Sequence, residues 1–84
     1  MRIKCGYELV EHNGQFFVSE IDNASKQMAV SEYSAFLWKL LNERPVTKSQ
    51  MLECLLDKFN ISTVLALGEI DNFLRMLREN EIVE

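Results

Sequence analysis

Cysteine and histidine are scarce in this chain: Cys5, Cys54 and His12 are all there is of either type in 84 residues. A structural metal site usually gathers about four Cys, His or carboxylate ligands, so we expect no metal and no cofactor. The two thiols are far apart and no secretory signal precedes them, which fits reduced cytosolic cysteines better than a disulfide. Glycine occurs three times, as Gly6, Gly14 and Gly68, and always alone, so no glycine-rich phosphate loop is present. No apolar run approaches the roughly 18 residues needed to span a bilayer. The N-terminal stretch MRIKCGYELVEHNG has neither an apolar segment of signal type nor a small-residue cleavage site. We therefore expect a soluble cytoplasmic protein with no membrane partner. Basic charge is short as well: 9 Lys and Arg stand against 13 Asp and Glu, a formal net charge of −4.

What remains is the composition of a small globular protein. The apolar share of 48 % is too high for a disordered chain. The length bounds it to one domain, residues 1–84, with no linker, repeat or low-complexity stretch.

The first third reads as strands. In YELVEHNGQFFVSEI the Asn13-Gly14 pair separates two β-prone runs, and Asn-Gly favours the positive φ values of a tight hairpin turn. The runs are 7–12 and 15–21. Alternation sets Tyr7 and Leu9 on one face of the first strand, and Phe16 and Val18 on one face of the second. Phe17 and Ile21 point the other way, so the sheet is either covered on both faces or exposes a sticky side. DNASK at 22–26 is a second turn cluster, and QMAV at 27–30 is a short third strand. A meander order leaves this strand at an edge.

From Ser31 the apolar period lengthens to that of a helix. Ser31 suits an N-cap with Glu32 in the first turn. Tyr33, Phe36, Leu37, Leu40 and Leu41 form one stripe, with Trp38 off its centre, and Pro45 ends the helix by forcing Arg44 out of the α region. Thr47 and Gln50 form a capping box before a second helix, with Val46 and Met51 as a hydrophobic staple. Its buried stripe is Met51, Leu52, Leu55, Leu56 and Phe59. Ser62 caps a third helix over 63–80, in which Ala66, Leu67, Ile70, Phe73, Leu74 and Leu77 fill one arc. Asp71, Arg75 and Arg78 lie beside Leu67 and Leu74, while Leu65 and Met76 lie off the other edge of the arc. Ile82 and Val83 are expected to dock back on the core. The order β-β-β-α-α-α is an α+β fold of winged helix-turn-helix type, with a three-stranded antiparallel sheet at its N-terminal end.

Catalytic machinery is not evident. Cys5 and His12 have no third orienting group, so His12 reads as a solvated group beside a turn and Cys54 as a small buried hydrophobe. The carboxylates Glu11, Glu20, Asp57, Glu69, Asp71 and Glu81 are scattered, and no pair is enclosed so as to raise a pKa. We expect no enzyme. A helix-turn-helix raises the possibility of a DNA reader, but phosphate contacts need clustered Lys and Arg. The third helix begins with Thr63, Val64, Leu65 and Glu69, and Lys48 and Lys58 of the second are balanced by Glu53 and Asp57. No basic face assembles, and nucleic acid is not an expected partner.

The third strand points elsewhere. Natural edges are usually blunted by charge, proline or a bulge, and QMAV carries no charge or proline after Lys26. An extended peptide can add to such an edge, with backbone hydrogen bonds giving affinity and side-chain pockets giving specificity. The third helix is long enough to wall a groove beside it. The alternative is that the chain's own helix covers the strand.

The run VSEYSAFLWKLLNERPVTKSQMLECLLDKFNIS, followed by EIDNFLRMLRENEIVE, resembles the PqqD family. Members show a strand, a Ser- or Asn-containing lead-in to a helix with a W-x-L-L-like core, seen here as Trp38, Leu40 and Leu41, then a short turn and an apolar second helix. A third helix ends in F-L-x-x-L-x-x-x-x-[IL]-[VI], seen here as Phe73, Leu74, Leu77, Ile82 and Val83. The resemblance covers nearly the whole chain, and its motifs are mostly apolar spacings. It implies a peptide-recognition element of a ribosomal peptide-modification pathway, which binds the leader of a precursor peptide and delivers it to a modifying enzyme, often a radical S-adenosylmethionine enzyme. The leader would add beside Gln27, Met28, Ala29 and Val30, against a helix face of Leu67, Asp71, Leu74, Arg75 and Arg78. The enzyme would act in trans, since this chain stands alone. The other readings are a helix-turn-helix DNA-binding protein and a small dimerising scaffold joined through Phe17, Met28, Trp38 or Met76; the chain is expected to be a monomer or a homodimer.

Overall fold

The computed structural model describes residues 3–83, with Ala24 by its backbone alone. Three strands, β1 (Tyr7–His12), β2 (Gln15–Glu20) and β3 (Asn23–Val30), precede three helices, α1 (Glu32–Glu43), α2 (Lys48–Lys58) and α3 (Thr63–Glu79). The strands form one antiparallel sheet in the order β1-β2-β3. Asn13 and Gly14 take φ of 54° and 79°, so both central residues of the hairpin occupy the left-handed region that a type I′ turn requires.

β3 is longer than the expected 27–30. The turn shrinks to residues 21 and 22, and the polar stretch after it joins the sheet. It does so irregularly: Ser19 pairs with Gln27, but Glu20 pairs with Asn23. Three residues of β3 therefore face no partner, and the strand bulges there. Ser25 braces the bulge by donating to Asn23 Oδ1 at 2.6 Å. Asn, Ser and Lys have turn composition, which hides a paired segment from any reading of propensity alone.

The helix starts follow their caps. Ser34 N–H donates to Ser31 Oγ at 3.1 Å, and Leu65 N–H donates to Ser62 Oγ at 3.2 Å. At Thr47 the box is reciprocal, with Gln50 N–H donating to Thr47 Oγ1 and Thr47 N–H to Gln50 Oε1. Arg44 is extended at φ −166°, ψ 154°, the conformation that Pro45 imposes on it.

The core lies between the inner face of the sheet and the helices. Val18 from β2, Leu37, Trp38 and Leu41 from α1, Met51 and Leu55 from α2, and Ile70, Phe73 and Leu77 from α3 are all buried there. Trp38, expected off the centre of the apolar stripe, is 1 % exposed. α1 contacts the sheet, α2 and α3 together, so it is buried over more than one face and a single stripe underestimates its burial. The opposite correction applies to Leu56 and Leu67, which remain 37 % and 38 % exposed. Phe59 closes the gap between α1 and α2, edge-on to Tyr33 and Phe36 with ring centroids 4.8 and 5.6 Å away. The C-terminal end returns to the fold as expected: Ile82 is fully buried, its carbonyl accepts from Lys4 N–H at 2.7 Å, and Ile3 bridges Val83.

Candidate functional site

β3 pairs with β2 on one side only, and among the described residues no strand lies along its other side. Which of its groups are free follows from the hairpin. A two-residue loop closes on a hydrogen-bonded pair, here His12 with Gln15. Bonded and non-bonded pairs then alternate, so Phe17 and Ser19 turn their backbone groups to β1, while Phe16 and Val18 turn theirs to β3. Their partners Val30 and Met28 are thereby consumed. The N–H and C=O groups of Gln27 and Ala29 point out of the sheet, toward the open edge. Alternation also sorts the side chains: Met28 and Val30 point inward and pack against the core, whereas Gln27 and Ala29 are exposed on the outer face.

α3 runs beside β3, and it runs antiparallel to it. At one end, Ser31 Oγ, just beyond β3, donates to Glu69 Oε2 at 3.3 Å. At the other, Asn80, just beyond α3, shares a cleft of about 430 Å³ with Lys26, Gln27 and Met28, floored by Tyr7, Val18 and Glu20. That volume is within the range of ligand-binding clefts. At about 100° per residue, Glu69, Met76 and Asn80 fall within roughly 40° of one another on the helix. This flank faces β3. Met76, half-buried against the core, is its apolar member, and Leu65 extends the line by one turn.

The strand residues expected at the site lie along this open edge. Gln27 and Met28 line the cleft, and Ala29 and Val30 continue the edge. The helix residues expected there sit on a different side of α3. Leu67, Asp71, Leu74 and Arg78 lie roughly 140–200° around the helix from Glu69, on the flank that faces α2. Asp71 shows this directly, since its carboxylate pairs with Lys48 Nζ of α2 at 2.8 Å. Leu74 is buried, and Arg75, one turn on from Asp71 and close enough to act on its carboxyl, lies beside the same flank. An apolar arc has two edges, and the helical period does not say which meets the sheet; the crossing of α2 over α3 decides. Glu69, Met76, Asn80 and the floor residue Tyr7 were not among the residues expected there for that reason. The available signal was the uncharged Met76 at the arc's other edge.

The charges around the fold are solvated. The hydrogen bond and the positive charge of Lys48 hold the Asp71 carboxyl below its ordinary value of 3.8, with smaller contributions from Arg75 and Arg78. Cys5 and His12 stand at opposite ends of β1, both exposed. Among the described residues no group of His, Cys, Asp and Glu is placed to hold a metal ion, and no helix is long and apolar enough to cross a membrane. The first half of α3, which would meet bases in a DNA-reading helix-turn-helix, exposes Val64, Leu65 and Leu67 in place of Lys or Arg.

The sequence profile of the family described as "Coenzyme PQQ synthesis protein D (PqqD)" matches residues 21–83. The chain belongs to the PqqD family. The match takes in β3 and all three helices, and so includes Lys26, Gln27, Met28 and Asn80 of the cleft. Among solved structures, this PqqD-family chain is similar to "TbiB1 in Complex with the TbiA(beta) Leader Peptide", with a TM-score of 0.74 and 14 % identity over 100 % of this chain and 95 % of that one. At that identity the likeness is one of fold. No curated protein matches the chain.

Proposed function

We propose that this PqqD-family protein is a non-catalytic module that captures the leader segment of a ribosomally made precursor peptide. The leader adds as a fourth strand to the free edge of β3 and is presented to a modifying enzyme acting in trans. A radical S-adenosylmethionine enzyme is the class that the family implies. The observation that carries the reading is the open edge at Gln27 and Ala29, lying next to a cleft at Met28 that Asn80, just beyond α3, closes on its far side. Backbone groups at such an edge give affinity for any extended chain, and the cleft selects among side chains. TbiB1, whose fold is similar, was solved with a leader peptide bound, which supports the same use of this fold here.

In this reading the helix contacts come from the Glu69, Met76 and Asn80 flank, in place of the Leu67, Asp71, Leu74, Arg75 and Arg78 face. An NMR titration of labelled protein with the leader of a neighbouring precursor tests it. Shifts are expected at residues 27–31 and along Glu69, Met76 and Asn80. The absence of any shift there at hundreds of micromolar peptide would remove the reading.

A further inference from the structure

The outer face of the sheet carries an apolar row that the cleft does not use. Register sets Val10 beside Phe17, and Phe17 beside Ala29. Alternation places these three on the face opposite Val18 and Met28. Val10 and Phe17 are half-buried and Ala29 is exposed, yet Val10 and Phe17 belong neither to the core nor to the side chains packed against it. The neighbouring rows are polar, with Glu8, Ser19 and Gln27 on one side and His12 and Gln15 on the other. A solvated sheet face ordinarily alternates to polar residues, and an edge is ordinarily guarded by charge. Here the row runs from two large side chains to a single methyl at the free edge.

Resting on the strand addition proposed above, we infer that this row is a second reading position for the bound peptide. The peptide residue that lies beside Ala29 is a large apolar one, aromatic or long aliphatic, and its side chain closes over the Ala29 methyl against Phe17. Neighbouring strands stand about 4.8 Å apart, which sets this residue about 9.6 Å from Phe17 across the sheet. The smallness of Ala29 leaves the intervening space open, and two large side chains leaning over it meet. The peptide is then read on both faces: by the cleft at the residue beside Met28, and by Phe17 at the residue beside Ala29. The outward contact also completes a four-strand apolar row that exists only in the loaded state.

Display selection tests this, with a random library of twelve-residue linear peptides panned against the wild type and against Phe17→Thr, Phe17→Leu and Ala29→Ile. The register of each selected peptide is fixed by NOEs to residues 27–29. Wild type and Phe17→Leu are expected to enrich large apolar residues beside Ala29. Phe17→Thr loses the contact and is expected to lose the enrichment, whereas Ala29→Ile sets an apolar neighbour directly beside the peptide residue and is expected to keep it. In synthetic pairs differing by Phe or Thr at that position, the Phe peptide should bind wild type about two- to fivefold more tightly, the range for a cross-strand pair, and bind Phe17→Thr no better than its partner. A preference unchanged in Phe17→Thr, or no preference in wild type, overturns the inference and leaves strand addition standing. A wild type that selects no peptide along β3 overturns both.

Discussion

Proline substitution at two adjacent positions of β3 separates the roles of its two edges. The hairpin parity leaves the Ala29 N–H pointing outward and commits the Met28 N–H to β2. Ala29→Pro therefore removes no ladder bond within the protein, and an edge strand tolerates proline on its open side. It does remove one backbone donor from the edge proposed to take the peptide and sets a ring where the incoming strand would lie. A net hydrogen bond is worth about 0.5–1.5 kcal/mol, and the ring obstructs the neighbouring bond as well, so the affinity for a leader peptide should fall by about tenfold or more. Met28→Pro breaks a β2–β3 bond and strands its acceptor, at a cost of about 1–3 kcal/mol. In a domain of this size each kcal/mol lowers Tm by about 4–8 °C, so Met28→Pro should melt well below Ala29→Pro. Circular dichroism melts and a fluorescence titration with a labelled leader peptide measure both arms. If Ala29→Pro bound peptide as wild type does, strand addition at this edge would be wrong; if Ala29→Pro were the less stable of the two, the parity argument would be wrong.

Other perturbations follow from the same geometry. Met76→Lys, on the flank facing β3, should weaken leader binding severalfold, whereas Arg78→Ala on the α2-facing flank should leave it unchanged; isothermal titration compares them. Trp38→Ala empties the centre of the core, where Trp38 is 1 % exposed, and should cost about 3–5 kcal/mol, enough to unfold much of a domain this small at 37 °C. Because Lys48 lowers the Asp71 pKa below 3.8 in the folded state, the pair stabilises the fold above about pH 4 and loses that contribution as pH falls through the lowered pKa. Asp71→Asn should therefore show a shallower loss of stability in denaturant melts across that acid window, an effect that shrinks with added salt because the pair is solvent-exposed.

Much of the fold was legible because its signals are local. Asn13-Gly14 imposes two positive φ angles in succession, and that alone sets the β1–β2 register. Ser31, Thr47 and Ser62 begin their helices by bonding to backbone groups three residues on, which depends on nothing distant. The edge position of β3 also followed from local rules, since a meander leaves its last strand unpaired. The bulge at 24–26 was not legible, because the turn-like Asn23 is drawn into pairing with Glu20 and carries the residues after it into the strand.

The helix wall of the cleft was out of reach of the sequence for a different reason. Sequence determined that α3 has a buried arc and two flanks, one with Leu67, Asp71 and Leu74 and the other with Leu65 and Met76. Only the tertiary structure decided that Lys48 of α2 claims the first flank through Asp71, while Ser31, just past β3, meets the second through Glu69. A helical period fixes angles about one axis and carries no information on what stands at each angle; the packing of neighbouring elements supplies that, and with it the identity of the residues beside the open strand.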